Sequence, residues 1–166
     1  MTDRNIDGLL VQLDPVLAQV PRLDRRLARA LAFLSLYEAD LAHHPPAQIL
    51  ERLSVMSKSE PMVAPYSAEL IAAATEYANE LVHGVLSHRS EIDSVIQERA
   101  ASWPLAQMSA IDRNVLRIGL YESRYGNAKV PLKAAINEAV ELAKLFGSET
   151  SAKFVNGVLG RAVESS

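Results

Sequence analysis

Apolar residues recur along most of the chain at the three- and four-residue spacing of amphipathic helices. The clearest case runs from Asp24 to about His43, where leucines and alanines occupy one side. Residues 67 to about 100 continue the pattern in two pieces. Further helices are predicted to begin at prolines and serines: Pro46, Ser109, Pro131 and Ser148. No segment alternates apolar and polar residues as a half-buried strand does. The pattern therefore predicts an all-α fold, a single compact domain of about seven helices.

The organisation of the chain follows from its prolines and from one polar stretch. Residues 1–23 are interpreted as an N-terminal extension, in which the apolar spacing of residues 6–13 predicts one short helix. Residues 24–166 are interpreted as the main helical domain. Inside that domain, residues 57–61 together with Pro65 form the predicted mobile loop.

Several helix ends carry residues whose chemistry suits that position. Ser109 and Asp112 have the spacing of a capping box, in which the serine oxygen accepts an early backbone N–H. Gly126 with the residue after it predicts a left-handed helix stop. Gly147 is predicted to end the penultimate helix, and Ser148 to cap the last one.

Some residues inside the apolar pattern are expected to be structural. Trp103, Leu116 and Tyr121 are predicted to pack in the core, as aromatic and aliphatic residues at helical spacing commonly do. Leu132 begins a row that is expected to face inward. Asn137 lies within that apolar stretch, and we expect its amide to satisfy a buried backbone group.

Composition excludes several classes of protein. The chain has 166 residues, of which 49% are hydrophobic and none is cysteine. It therefore has no disulfide, no thiolate metal site and no cysteine nucleophile, and it does not need an oxidising compartment. The acidic, polar N-terminus does not resemble a secretory signal, and no apolar stretch is long enough to span a membrane. We expect a cytoplasmic protein without membrane contacts.

The motifs of the common catalytic sites are missing from the sequence. The histidines lie at 43, 44, 83 and 88, and the spacing of the last pair does not place both rings on one helical face. The glycines form neither a phosphate-binding loop nor a dinucleotide fingerprint. We therefore expect no enzyme, no metal and no cofactor.

Charge is distributed unevenly along the chain. The net charge is −3, yet Arg22, Arg25, Arg26 and Arg29 fall at the spacing that places them on one helical face, with only Asp24 opposing them. The planar guanidinium groups of arginine bind phosphates with two hydrogen bonds and stack on unpaired bases, which favours RNA as a ligand. The alternative is a solvated helix terminus, and the spacing alone leaves both readings open.

Three blocks together resemble the NusB family of transcription antitermination factors. They are Arg25–Tyr37, Trp103 with Ile111–Glu122, and Val130 and Pro131 with Ala135–Lys144 and Lys153–Leu159. The resemblance spans residue 25 to about 163 and implies an all-helical fold that binds the boxA element of ribosomal RNA leaders. It also implies a heterodimer with ribosomal protein NusE, which joins RNA polymerase and further Nus factors in an antitermination complex.

The resemblance also implies which residues bind RNA. They come from two blocks: Arg25, Arg26, Arg29 and Tyr37 in the first, and Lys153, Phe154 and Asn156 in the second. Leu27 occupies a position that is often basic in relatives, which implies weaker or more partner-dependent RNA binding. Two alternatives stay open, because Phe154 also suits the core and Asn156 also suits a buried backbone partner.

For the protein partner, Asp112 matches an acid that the family presents toward NusE, and its capping role can hold at the same time because a cap uses only one carboxylate oxygen. Two other functions remain open. One is a regulatory homo-oligomer, such as a homodimer, whose RNA-binding face is masked. The other is a stand-alone RNA-binding domain like that of ribosomal RNA cytosine methyltransferases, which the end of the chain at Ser166 disfavours because no methyltransferase domain follows.

Overall fold

The computed structural model describes residues 23–59, 68–126 and 130–163. These ranges contain seven α-helices and one 3₁₀ turn, Leu105–Gln107, and no strand. The helices are α1 Leu23–Ala42, α2 Pro46–Ser59, α3 Ala68–Ser87, α4 Arg89–Arg99, α5 Ala110–Arg124, α6 Leu132–Phe146 and α7 Glu149–Val163. The predicted all-α fold is confirmed, whereas the short helix expected within residues 1–23 falls outside the described residues.

The chain divides into two compact units, 1–80 and 81–166, with the division inside α3. In the first unit α1 packs against α2, because both helices carry a continuous apolar face. Their buried aliphatic side chains are Leu27, Leu31, Leu34, Ile49, Leu50 and Leu53. At the edge of this contact, Arg52 of α2 forms an ion pair with Glu38 of α1.

In the second unit α5 packs against α4, α6 and α7. The side chains of α5 are buried continuously from Asn114 to Glu122, so this helix is surrounded on all sides. Arg117 lies within it and donates from Nε and Nη2 to the two carboxylate oxygens of Asp93, at 2.8 and 3.0 Å. A buried guanidinium needs such a bidentate partner, because leaving it unpaired would cost several kcal/mol, roughly 3–5.

Most of the predicted helix ends are confirmed. Ser109 Oγ accepts a hydrogen bond from the backbone N–H of Asp112 at 3.1 Å, and Ser148 Oγ accepts one from the N–H of Ser151 at 3.2 Å. Gly147 ends α6, where a Cβ would lie only 2.8 Å from the carbonyl oxygen of Ala143. Glycine is therefore required at this position by the close approach of the backbone.

Two of the predicted chain breaks are wrong. Gly126 is not a left-handed stop, since no described glycine has a positive φ and α5 already ends at Arg124. The positive φ occurs instead at His43, 58°, directly after α1. The predicted loop at 57–61 also begins too early, because α2 continues through Ser59. Pro65 lies outside the described residues.

Burial confirms Leu116 and Tyr121 as core residues but contradicts three other assignments. Trp103 is 55% exposed, because it lies in the turn after α4 rather than on a packed helix face. Leu132 is 36% exposed in the first turn of α6. Asn137 is exposed as well, so its amide does not satisfy a buried backbone group. None of the helices in the described ranges is long and apolar enough to cross a membrane.

Candidate RNA interface

The arginines at the start of α1 are partly buried by contacts within the first unit. The guanidinium carbon of Arg25 lies 3.8 Å from the centroid of the Tyr77 ring, and that of Arg29 lies 6.0 Å from it. Arg29 is only 6% exposed, and Arg25 and Arg26 are half-buried. A cation over an aromatic face is attracted by the negative charge of that face. Arg29 is therefore largely covered by protein, and Arg22 lies outside the described residues.

This burial has a local cause in the sequence of α1. All side chains from Leu27 to Leu36 are buried, so the helix has no wide solvent-facing side along this stretch. Nη1 of Arg25 is buried and has no hydrogen-bond partner among the residues that the structure describes. Because the surroundings have a low dielectric constant, electrostatic interactions of this guanidinium are stronger than they would be in water.

Tyr37 lies further along α1 and is also half-buried. Its ring stacks on that of Phe33, with centroids 5.6 Å apart and an angle of 22° between the planes. This contact fixes the ring through its neighbour one turn earlier, as side chains four residues apart on a helix commonly do. Tyr37 is thus a partly accessible aromatic surface in the first unit.

The residues of the second block lie on α7 and are more accessible. Lys153 and Asn156 are both exposed, and Phe154 is half-buried. Lys153 and Asn156 are three residues apart, which places them on one face of the helix. The alternative role of Asn156 as a partner for a buried backbone group is contradicted by its exposure. Phe154 combines packing with access to solvent, so the α7 face offers an ammonium, an amide and part of an aromatic ring.

Asp112 is held at the start of α5 by its backbone bond to Ser109. Its Oδ1 is buried and has no hydrogen-bond partner in the described part of the chain, so the carboxylate does not accept a bond at this atom to complete the capping box. The side chain as a whole is half-buried. Any basic group from a partner would therefore have to reach the other carboxylate oxygen.

A separate aromatic cluster joins the ends of α3 and α5 in the second unit. The ring of His88 stacks on that of Tyr125 at 4.3 Å, and its Nδ1 lies 3.0 Å from the carbonyl oxygen of Gly84. Burial raises the pKa of Tyr125, and a hydrogen bond with Glu91 adds to this increase. No group of three or more metal-ligating side chains occurs in the described part of the chain.

Two residues near these sites were not singled out by sequence reasoning. Tyr77 lies on α3, and nothing in its spacing indicates that Arg25 covers its ring. Arg161 lies two turns after Lys153 on α7 and is exposed. Its eight-residue separation from Lys153 is a helical-face spacing, and this signal could have identified it.

Comparison with known proteins gives one consistent result. The model of the NusB family matches residues 26–164. A transcription antitermination protein NusB from Myxococcus xanthus is 45% identical over 137 residues, covering 82% of this chain and 92% of the relative. The corresponding protein from Chloroflexus aggregans is 46% identical over 140 residues, covering 84% of this chain and 86% of the relative.

Solved structures agree with this result. A crystal structure of the antitermination factors NusB and NusE in complex with dsRNA contains a chain with a TM-score of 0.72 and 28% identity. That match covers 88% of this chain and 100% of the other. NusB from T. maritima gives a TM-score of 0.69 at 32% identity, covering 88% of this chain and 92% of the other. Because the family model matches residues 26–164 and the two NusB relatives are 45% and 46% identical over 82% and 84% of this chain, the chain belongs to the NusB family.

Proposed function

We propose that this protein binds boxA RNA of ribosomal RNA leaders together with ribosomal protein NusE. The heterodimer then joins RNA polymerase through other Nus factors and prevents early termination. The observation that carries this proposal is the similarity to a NusB solved with NusE and dsRNA, which extends over most of the chain. The relatives named as antitermination proteins support the same role. The protein acts by binding in the cytoplasm and performs no chemical step.

The α7 face supplies the chemistry that an RNA strand requires. The ammonium of Lys153 pairs with a phosphate, and the amide of Asn156 reads a base edge with its donor and acceptor. The accessible part of the Phe154 ring stacks on an unpaired base. All three groups reach solvent, so RNA binds here without unfolding a helix.

The α1 residues make a different contribution to the same proposal. Arg25 and Arg26 are half-buried and contact phosphates from the partly covered start of the helix. Arg29 is buried, so it acts through its electric field and by supporting Tyr77 rather than by touching RNA. Tyr37 offers the accessible part of its ring to a base.

Asp112 is the proposed contact for NusE. Its half-buried carboxylate at the start of α5 pairs with a basic side chain of the partner through the oxygen other than Oδ1. The capping bond from its backbone N–H fixes the residue without using that oxygen. Asp112→Asn should therefore weaken NusE binding while leaving the binding of RNA alone unchanged.

A titration of boxA RNA with and without NusE, at several salt concentrations, tests the proposal. We expect NusE to strengthen binding, and affinity to fall with salt because phosphate contacts release counterions. A scrambled RNA of the same length is the control. Equal binding of both RNAs, or a dimer in native mass measurements that persists unchanged when boxA RNA and NusE are added, would contradict the proposal.

A further inference from the structure

The exposed side chain of Trp103 is unusual for this protein. At 55% exposure it is one of few large apolar residues on the described surface, although a buried tryptophan would contribute far more to stability. The residue follows α4 and precedes the 3₁₀ turn Leu105–Gln107.

Hydrogen bonds from side chains of α4 and α5 hold the segment around Trp103. The side chain of Gln97 accepts a hydrogen bond from the backbone N–H of Leu105 at 2.9 Å and lies 3.5 Å from the carbonyl oxygen of Trp103. Nη1 of Arg113 donates to the carbonyl oxygens of Leu105 and Met108, at 3.1 and 3.0 Å. These bonds hold the backbone in place, so little conformational entropy is lost when a ligand contacts the indole.

Arg161 of α7 is anchored at the same end of α4. Its Nε donates to the carbonyl oxygen of Arg99 at 3.0 Å, and the next carbonyl, that of Ala100, accepts from the N–H of Trp103 at 2.9 Å. Adjacent carbonyls therefore bind the side chain of Arg161 and the backbone of Trp103. Nη1 and Nη2 of Arg161 have no hydrogen-bond or ion-pair partner among the described residues, and they lie 3.6 and 3.9 Å from where a Cβ of Gly157 would stand.

We propose that Trp103 and Arg161 form an additional contact for single-stranded RNA, in which the indole stacks on a base and Nη1 and Nη2 bind an adjacent phosphate. This inference rests on the proposed function and extends the α7 face beyond Lys153 and Asn156. Positions 153, 156, 157, 160 and 161 share that face. Two of them are glycines, and a Cβ at Gly160 would meet no atom within 4 Å, so a strand can approach the helix closely.

The charge pattern favours RNA over a basic partner at this position. The carboxylate of Glu98 pairs with Nη2 of Arg99 at 3.4 Å, and no acid of the described residues forms an ion pair with Arg161. A guanidinium with two open N–H groups binds phosphate in a bidentate manner. Base stacking on tryptophan adds affinity that depends little on sequence.

The chain contains one tryptophan, so its fluorescence reports on this contact directly. Wild-type protein with NusE is titrated with a single-stranded boxA RNA while tryptophan emission and RNA anisotropy are both recorded. We expect emission to be quenched along the same binding curve as the anisotropy change. RNA binding without a change in emission would overturn the inference while leaving the proposed function intact.

Variants separate stacking from general effects. We expect Trp103→Leu to weaken RNA binding by about five- to tenfold and Trp103→Phe by less than about threefold, since the phenyl ring still stacks. Arg161→Gln should reduce the salt slope by about 0.7, the value for one phosphate contact to a single strand. Lys133→Gln removes an exposed charge of the same sign on α6 and should leave the slope unchanged. Thermal unfolding checks that each variant is folded.

Three other outcomes are decisive. Affinities of Trp103→Leu and Arg161→Gln equal to that of the wild type would overturn the inference alone. Quenching by NusE without RNA, or quenching that depends on protein concentration, would assign the surface to a protein partner or a second copy and overturn it as well. Absence of RNA binding by the wild type with NusE would remove both the proposed function and this extension of it.

Discussion

The basic residues of α1 and those of α7 look alike in the sequence but differ in their surroundings. On α1, Arg29 is buried and Arg25 covers the Tyr77 ring, because apolar side chains surround the helix. On α7, Lys153 and Arg161 are exposed beside glycines. Helical spacing shows which residues share a face, but it does not show what covers that face. We therefore expect the α1 arginines to affect stability first, and the α7 cations to affect RNA binding alone.

The largest difference should appear when Arg29 is removed. Arg29→Ala deletes a buried side chain and its contact with Tyr77, and we expect the free energy of unfolding to fall by about 2–4 kcal/mol. Lys153→Ala is the matched change on α7 and should cost less than about 0.5 kcal/mol. Urea unfolding measures both values. Similar losses for the two variants would remove the distinction between the helices.

The contact between Arg25 and Tyr77 can be isolated by a double-mutant cycle. Arg25→Gln and Tyr77→Leu are measured singly and together, and we expect a coupling energy of about 1 kcal/mol. The close position of the guanidinium over the ring is the reason for this value. Additive effects of the two substitutions would show that Arg25 is not held by the ring and is more available to RNA than its position indicates.

Lys153 is expected to affect RNA binding and not stability. Lys153→Gln should keep the wild-type unfolding curve, because the side chain is exposed, and reduce the salt slope of boxA RNA binding by about 0.7. Lys133→Gln on α6 again serves as the control. If both variants changed the slope equally, the protein would bind RNA through its overall charge rather than through α7.

The smallest effect concerns how the free energy of unfolding falls at alkaline pH. Because the pKa of Tyr125 is raised in the folded protein above its ordinary value of 10.0, the folded state keeps this proton longer than the unfolded state. The stabilisation that arises from the raised pKa of Tyr125 is fully present below pH 10.0 and is lost as pH rises through the pKa of the folded state. Tyr125→Phe should therefore lose stability less steeply in this range. An identical pH profile in a chemical-unfolding series would contradict the assignment.

Helix ends were the most predictable part of the fold. Ser109, Gly147 and Ser148 act through atoms three or four residues away, so the sequence contains both partners of each contact. Gly126 shows the limit of this reasoning, because glycine permits a left-handed conformation without requiring it. Local chemistry thus predicted most of the boundaries, and failed where a residue type allows more than one conformation.

Burial was harder to predict because it depends on distant elements. Trp103 and Leu132 have the apolar character of core residues, yet Trp103 lies in the turn after α4 and Leu132 in the exposed first turn of α6. Arg29 shows the reverse error, since arginine is rarely buried and nothing near it in sequence reveals the ring of Tyr77. The candidate site was therefore predictable as a set of residues, whereas their exposure required the structure.

One matched comparison tests the central claim that the α7 face binds RNA. The double variant Lys153→Gln with Asn156→Ala changes this face, and Lys133→Gln with Asn137→Ala makes the same changes at exposed positions of α6. With NusE present, we expect the α7 variant to bind boxA RNA about tenfold more weakly, from one lost phosphate contact and one lost base contact. The α6 variant should bind like the wild type. Equal affinities for the two variants would contradict the account.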